Sequence, residues 1–319
     1  MSFSAIKGQI GPINILKKYI EQSCLAGGYL FTGPQGIGKK LVAKTLAKTV
    51  NCLEAGLDSC DACISCKKID NNQHPDVHII EAEEACEIKI EYIRQLQKEI
   101  NLKPYEAKVK VFIIDDAHNL TAEASNALLK ILEEPPKNSL IILISDKQAL
   151  LFKTIISRCK ILKFAALKRA ELEIILKEDY SVEKNLAHFL AYFSEGSFGT
   201  ALKFKDRDIM REKNKIIDSF VLSRKGGFEN LSIQNREEVS GYFNILATWF
   251  RDIYLIKVGL PHSEIINFDR RDELLRSMSE FSFSDLNEIL SSISESILSL
   301  GQNMNVKLVL HNFSSIIQH

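Results

Sequence analysis

The sequence predicts an α/β fold, with a parallel sheet in the first part of the chain and only helices after it. Short apolar runs alternate with amphipathic stretches up to Phe164, which is the pattern of strand–helix–strand units. Beyond Phe164 the runs rich in β-branched residues stop, and apolar residues recur at spacings of three and four instead. The change of period at this point predicts at least two domains, as expected for a chain of 319 residues.

Five apolar runs are the candidate strands: Tyr29–Phe31, Val77–Ile80, Val109–Ile114, Leu140–Ser145 and Ile161–Phe164. The third and fourth runs are almost wholly apolar, as expected for strands that are covered on both faces. Between these two runs, the apolar residues of Ala122–Leu132 fall on one helical face. The pair Pro135-Pro136 ends this predicted helix, because proline cannot continue one.

The remainder of the chain is predicted to be helical. One buried helix face is indicated by residues that step by three and four positions: Val239, Phe243, Leu246, Phe250 and Ile253. Gly196 and Gly199 are expected in a turn before Ala201, and the pair Gly226-Gly227 suggests another joint.

Composition narrows the possible functions. Lys and Arg number 41 and balance 41 Asp and Glu, while 45% of the residues are hydrophobic, so the chain is neither disordered nor able to coat nucleic acid by bulk charge. A local basic face is still compatible with this balance. No apolar stretch approaches the ~20 residues of a membrane span, and the N-terminus lacks the pattern of a secretory signal. We therefore expect a cytoplasmic protein, in which seven cysteines do not form a disulfide framework.

A glycine-rich run, Gly33-Pro34-Gln35-Gly36-Ile37-Gly38-Lys39-Lys40, follows the first candidate strand and opens a helix predicted to continue through Val50. This is a phosphate-binding loop in its usual context: Gly33, Gly36 and Gly38 let backbone N–H groups converge on an anion, and Lys39 can reach the outer phosphates. The next position normally carries Ser or Thr, whose hydroxyl binds Mg²⁺. Here it is Lys40, so hydrolysis is expected to be lost, and whether nucleotide still binds is left open.

The third candidate strand ends in two carboxylates, Asp115 and Asp116. In ATPases with this loop, the first acid at such a strand end holds Mg²⁺, and a second acid, usually Glu, polarises the attacking water. The side chain of Asp116 is one methylene shorter than that of Glu. At the end of the fourth strand, either Ser145 or Asp146 is expected to occupy the polar sensor position.

Four cysteines follow the helix of the loop: Cys52, Cys60, Cys63 and Cys66. Thiolates two residues apart can bend round one tetrahedral ion, and four such ligands leave no open position, so the spacing predicts a structural zinc site. The isolated cysteines are expected in the core or in strands: Cys24, Cys86 and Cys159. His74 and His78 are interpreted as surface or strand residues.

These motifs together resemble the bacterial clamp-loader ATPase family of the DNA polymerase III holoenzyme, whose AAA+ subunits open the sliding clamp and place it on primed DNA. The resemblance rests on the loop, the inserted cysteines and further segments: His74-Pro75-Asp76, Asn126–Pro136 (NALLKILEEPP), Ser157-Arg158-Cys159, Gly196–Leu202 and Asn303–Leu308. It implies an AAA+ domain over residues 1–164 with a zinc-binding insertion at 52–66. A helical lid over 165–205 and a helical collar over 206–319 would follow.

Within this family the chain resembles the delta-prime class of subunit. The ATP-hydrolysing gamma/tau motor needs a complete loop, a Glu beside the metal-binding Asp and an Arg in the lid motif, but this chain has Lys40, Asp116 and Gly199. The resemblance implies that Arg158 acts in trans as an arginine finger on the ATP of a neighbouring motor subunit. It further implies gamma/tau and delta subunits as partners. The sliding clamp and primed DNA would be contacted through the complex, with helix N-termini near the duplex backbone.

Three other functions are compatible with parts of the sequence. The first is a motor-type ATPase that tolerates Lys40. The second is a P-loop kinase, although Arg169 is the one arginine in the segment 165–205, where such enzymes usually carry several. The third is a zinc-dependent DNA-binding module with a vestigial phosphate loop, which would bind DNA alone with a strong dependence on salt.

Overall fold

A computed structural model describes residues 1–54, 56–81, 87–222, 235–261, 264–302 and 304–317, and it confirms the α/β prediction. The strands are Gly27–Thr32 (β1), Val77–Ile80 (β2), Lys110–Ile114 (β3), Ser139–Ser145 (β4) and Lys160–Lys163 (β5). All pair in parallel, in the order β2-β3-β4-β1-β5. Each predicted run therefore lies in a strand, with bounds that differ by at most two residues.

Helices cover both faces of the sheet. Their bounds are Ile10–Glu21 (α1), Lys39–Asn51 (α2), Ile64–Asp70 (α3), Ile90–Ile100 (α4), Ala122–Glu133 (α5) and Lys153–Ile156 (α6). Successive residues of a strand point to opposite faces, so Val111 and Ile113 pack with α1–α3 while Phe112 and Ile114 pack with α4–α6. The parallel order brings the carboxyl ends of β1, β3 and β4 side by side, which is where such sheets bind their ligands.

The helix α5 is defined by local signals at both ends. Its N-cap is Thr121, whose Oγ1 accepts a hydrogen bond from the Ala124 N–H at 3.2 Å. At the other end the chain leaves the helix at Glu134, directly before Pro135-Pro136. The helix predicted over Ala122–Leu132 is thus confirmed and is one residue longer.

The His74-Pro75-Asp76 motif has a structural role in front of β2. The Asp76 carboxylate is fully buried and accepts three backbone N–H groups, from Tyr105, Glu106 and Ala107, each at 2.9 Å. Burial alone would raise the pKa of Asp76, but these donors outweigh it and hold the pKa below its ordinary value. His74 was predicted at the surface or in a strand, and this is wrong. It is buried in the loop, where its Nδ1 accepts the Asp76 N–H at 3.1 Å.

Two other expectations about isolated residues have different outcomes. Cys24 is exposed in the turn between α1 and β1, so its prediction as a core or strand residue is wrong. Cys159 is half-buried directly before β5, and Cys86 lies outside the described residues. His78 lies in β2 as expected, where its ring stacks on Phe112 with 4.8 Å between the ring centroids.

The chain divides into two compact units, Met1–Leu167 with Ser197–Thr200, and Lys168–Gly196 with Ala201–His319. The described part beyond Lys163 is helical, as predicted. The helices are Arg169–Glu178 (α7), Lys184–Phe193 (α8), Phe198–Asp206 (α9), Ile209–Ile217 (α10), Arg236–Val258 (α11), Arg271–Ser277 (α12), Phe283–Gly301 (α13) and Val306–Ile317 (α14). None of the described helices is long and apolar enough to cross a bilayer. The separation of a lid from a collar stays a prediction.

The longest helix, α11, supports the core of the second unit. Its predicted buried face is confirmed, because all five residues are fully inaccessible: Val239, Phe243, Leu246, Phe250 and Ile253. Gly196 has a left-handed backbone (φ +80°), as a turn requires. Gly199, in contrast, lies in the first turn of α9, so its assignment to that turn is corrected. The predicted joint at Gly226-Gly227 lies outside the described residues.

We predict that the second unit depends on a buried ion pair between α10 and the segment before α12. Lys213 is fully buried and its Nζ lies 2.6 and 2.7 Å from the two carboxylate oxygens of Asp269. The Lys213→Met variant keeps the side-chain volume but leaves the Asp269 charge without its partner. We expect it to lower the free energy of unfolding by about 3 kcal/mol, measured by denaturant titration. Lys215→Met, on the exposed side of the same helix, is the matched control and should stay within ~0.5 kcal/mol of wild type. Equal stability of both variants would contradict the prediction.

Candidate functional site

The glycine-rich loop connects β1 to α2 as the sequence predicts. Gly33, Gly36 and Gly38 all have positive φ, at +148°, +74° and +94°, so each occupies backbone space that other residues rarely adopt. Lys39 then begins α2 directly, at the carboxyl end of β1. The loop therefore adopts a backbone that depends on glycine at all three positions.

Lys39 is engaged by the loop itself. Its side chain is buried, and its Nζ donates to the carbonyl oxygens of Gly33 at 2.6 Å and Pro34 at 2.5 Å. Burial lowers the pKa of Lys39, although the nearby carboxylates Asp146 and Asp115 oppose this shift. The ammonium that would contact the outer phosphates is thus hydrogen-bonded to its own backbone.

Lys40, at the position where the sequence motif normally has a metal-binding hydroxyl, pairs with the acids around it. Its Nζ lies 2.7 Å from Glu81 Oε1 and 3.1 Å from Asp115 Oδ2. Burial alone would lower the pKa of Lys40, but the two carboxylates raise it, so the group is a cation at neutral pH. The acid that would hold Mg²⁺ in an active ATPase is therefore neutralised by an ammonium from its own chain.

The second acid and the sensor candidates lie close together at this end of the sheet. Asp116 has a left-handed backbone (φ +47°). One of its carboxylate oxygens lies within 4.8 Å of a ring nitrogen of His118 and of a carboxylate oxygen of Asp146. Ser145 is the fully buried last residue of β4, with its Oγ 3.3 Å from His118 Nδ1. Asp146 Oδ1 lies 3.4 Å from the same nitrogen. Both sensor candidates therefore face His118.

The segment that begins α9 closes directly on the glycine-rich loop. The Gly199 N–H donates to the Gly36 carbonyl at 2.8 Å, and Ser197 Oγ donates to the Gln35 carbonyl at the same distance. A Cβ at position 199 would lie only 2.7 Å from Gly36 O, so any side chain there would force the two backbones apart. Glycine at position 199 thus has a structural consequence, because the lack of a Cβ permits this close approach.

The cysteine cluster forms as predicted, next to the C-terminal end of α2. The four Sγ atoms of Cys52, Cys60, Cys63 and Cys66 all lie within 4.8 Å of one another. Around a tetrahedral zinc with bonds of ~2.3 Å, sulfur atoms are about 3.8 Å apart, so the cluster fits this ion. Backbone N–H groups also point at the sulfurs, from Cys63 to Cys60 Sγ at 3.3 Å and from Cys66 to Cys63 Sγ at 3.5 Å. Such donors stabilise negatively charged thiolates, the form that binds metal.

Arg158 lies at the opposite end of the sheet from the glycine-rich loop. It precedes β5, and its carbonyl oxygen faces Gly28 at the start of β1, whereas the loop follows Thr32 at the end of that strand. Four residues of strand separate these ends by about 13 Å. Its side chain is about one-third exposed, with Nη2 2.7 Å from Glu133 Oε1 and Nη1 3.0 Å from the Thr154 carbonyl.

The structure thus brings the predicted residues together as three groups: the loop with its acids, the cysteine cluster and Arg158. Two participants were absent from the sequence prediction, Glu81 beside Lys40 and Glu133 beside Arg158. Glu81 follows the carboxyl end of β2, so the strand prediction could have placed it near Asp115. Glu133 stands in the NALLKILEEPP stretch, but its pairing joins segments 25 positions apart in the sequence, which spacing does not show.

Two family models match the chain. The model described as "DNA polymerase III, delta subunit" matches residues 8–168, and "DNA polymerase III, delta subunit, C terminal" matches residues 210–314. Together they match residues in both compact units.

Curated relatives are found over nearly the whole length. DNA polymerase III subunit delta′ of Bacillus subtilis is 29% identical over 317 residues, covering 96% of this chain and 95% of the relative. DNA polymerase III subunit tau of the same organism is 29% identical over 307 residues, but the chain spans only 54% of its length. A solved gamma-subunit-related protein from Thermotoga maritima covers 96% of this chain, with 21% identity and a TM-score of 0.45, which is too distant to bear on function.

Proposed function

Because the chain belongs to the DNA polymerase III delta-subunit family, we propose that it is the delta-prime-type subunit of a clamp loader, which helps to place the sliding clamp on primed DNA during replication. Its partners would be gamma/tau motor subunits and a delta subunit, with the clamp and DNA reached through the complex. A zinc-dependent module for DNA binding alone, or a small-molecule kinase, would not account for the family match over both units.

The observation that carries the proposal is the pairing of Lys40 with Asp115 and Glu81. The ammonium stands where an active ATPase uses a hydroxyl and Asp to hold Mg²⁺, and a cation repels the metal. These contacts support a subunit that does not hydrolyse ATP, and they disfavour the gamma/tau motor alternative.

Arg158 is the residue that we propose to act on the partner's nucleotide. It lies about a strand length from its own loop, which no arginine side chain bridges, so its target would be in another subunit. A guanidinium suits this role, because it is planar, always charged and able to fork onto phosphate oxygens. There it would stabilise the charge that builds on the γ-phosphate.

We propose further that Cys52, Cys60, Cys63 and Cys66 hold one structural zinc, with all four positions taken by protein ligands. Thiolate ligands of this kind persist in a reducing compartment, which supports a cytoplasmic location. The zinc would fix the C-terminal end of α2, the helix that begins at the glycine-rich loop.

Co-purification tests the assignment to a clamp loader. The tagged chain, expressed in its own cells, should recover gamma/tau-type and delta-type subunits in a stable complex, identified by mass spectrometry. The tagged Lys40→Thr chain should recover the same set, because position 40 belongs to the chain's own nucleotide site. Recovery of neither partner class by the wild-type chain would contradict the assignment.

We predict that the isolated chain does not hydrolyse ATP and that Lys40→Thr alone does not restore hydrolysis. The substitution would release Asp115 and supply the hydroxyl, but Asp116 and the closed Gly199–Gly36 contact would remain. Each missing group typically costs about 10²-fold in rate. Turnover measured with purified protein should stay far below ~1 s⁻¹ for both forms. A rate at or above that value in the wild-type chain would overturn the prediction.

A further inference from the structure

We propose that Glu133 is a positioning residue that holds Arg158 on its own subunit until a partner's triphosphate displaces it. The inference rests on the proposed function, since it concerns the arginine that would serve the neighbouring nucleotide. The inference adds Glu133 to the residues that serve the neighbouring nucleotide. The effect of Glu133 on binding should depend on which nucleotide the partner holds.

Both terminal nitrogens of Arg158 already have partners in the free chain. Nη2 contacts Glu133 Oε1 at 2.7 Å, and Nη1 donates to the Thr154 carbonyl at 3.0 Å. These are the nitrogens that fork onto phosphate oxygens in a two-pronged contact. A phosphate would compete with Glu133 for the N–H groups of Nη2, so a two-pronged contact with the phosphate would displace the carboxylate.

The position of Glu133 argues against a role in stabilising its own helix. It is the last residue of α5, and Glu134 follows it as the C-cap. Negative charge is unfavourable at this end, because the unpaired carbonyl groups carry a partial negative charge of their own. A carboxylate here opposes the helix dipole, and it pairs with Arg158, beside the basic Lys130 in the same last turn of the helix.

The strength of the pair suits a contact that must be broken during function. Half of the Glu133 side chain and about a third of the Arg158 side chain are exposed, so water screens the attraction. An exposed pair of this kind changes an equilibrium constant by only about 1.4- to 5-fold. A γ-phosphate offers the guanidinium more charge and a forked contact, so it can displace the carboxylate. A partner loaded with diphosphate offers no γ-phosphate, and Arg158 would stay on Glu133.

Binding to a gamma/tau-type subunit from the same organism tests the inference. The dissociation constant is measured for wild type, Glu133→Ala, Arg158→Ala and the double variant, with the partner loaded with either ATPγS or ADP. Glu133→Ala should tighten binding to the ATPγS-loaded partner by about 1.4- to 5-fold, because Arg158 no longer has to leave a carboxylate. It should not change binding to the ADP-loaded partner, and it should have no effect when Arg158 is already alanine.

Glu134→Ala is the matched control, since it removes the neighbouring acid and leaves the ion pair in place. Weaker or unchanged binding of Glu133→Ala to the ATPγS-loaded partner would overturn the inference. So would an equal gain in the Arg158→Ala background, which would show simple repulsion between Glu133 and the nucleotide. If Arg158→Ala itself leaves both binding and partner ATPase unchanged, the proposed finger role of Arg158 fails as well, whereas failure of the clamp-loader assignment would appear as absence of any binding by the wild-type chain, so the failures are distinguishable.

Discussion

Replacing Arg158 by alanine is expected to lower the DNA-stimulated ATPase and the clamp loading of the assembled complex by about 10-fold or more. Arginines that act in trans contribute ~10³–10⁵ to the rate in related enzymes, and the expected loss is smaller because other sites in the complex remain intact. Arg158→Lys should not rescue the activity, since an ammonium cannot make the forked contact. Steady-state ATPase of the reconstituted complex, with and without primed DNA, measures the effect.

Two controls separate this outcome from a folding defect. The side chain of Arg158 is partly exposed and its ion pair is screened, so the variant should unfold within ~0.5 kcal/mol of wild type. It should also still assemble with its partners. A variant complex that assembles and loads clamps at the wild-type rate would exclude the arginine-finger role of Arg158. Arg158 would then be an ordinary surface arginine paired with Glu133.

Removal of zinc should unfold the cysteine-containing insertion while leaving the sheet intact. Structural zinc contributes about 10–16 kcal/mol to the folding of zinc-finger peptides, which is more than a segment of this size obtains from packing. The insertion also holds the start of the chain, because the Asp58 carboxylate accepts the N–H groups of Phe3 and Ser4 at 2.7 and 3.0 Å. Chelation should therefore expose both segments to limited proteolysis, with the strands of the first unit still protected.

The zinc prediction has its own control. Cys63→Ser should reduce the zinc content below one ion per chain, whereas Cys24→Ser, at the exposed cysteine outside the cluster, should leave it at one. Elemental analysis of purified protein measures both. Well under one zinc per wild-type chain would contradict the site.

The sequence predicted the sheet well because its strands are almost continuous apolar runs. Lys110–Ile114 and Ser139–Ser145 are buried along their whole length, so burial and sequence pattern coincide. The glycine-rich loop was equally accessible to prediction, since positive φ at Gly33, Gly36 and Gly38 leaves glycine as the natural choice. Features of this kind depend on residues that are close in the sequence, so the sequence pattern is sufficient to predict them.

The features that were missed depend on contacts between distant segments. His74 is buried because Asp76 fixes its loop through the amides of residues 105–107. The sequence shows that Gly199 stands where the related motif has an arginine. Its close approach to Gly36 is visible only in the structure. In the same way, the sequence shows that Lys40 replaces a hydroxyl, and only the structure shows that it pairs with Asp115 and Glu81.

We propose that this chain provides an arginine to a neighbour's ATP and hydrolyses none itself. Single-turnover hydrolysis by the gamma/tau-type partner, measured with and without this chain, tests both properties together. The chain alone should show no hydrolysis, and its addition should accelerate the partner at the site where the two subunits meet. An unchanged partner rate in a verified complex, or hydrolysis by the chain alone at ~1 s⁻¹ or faster, would contradict the account.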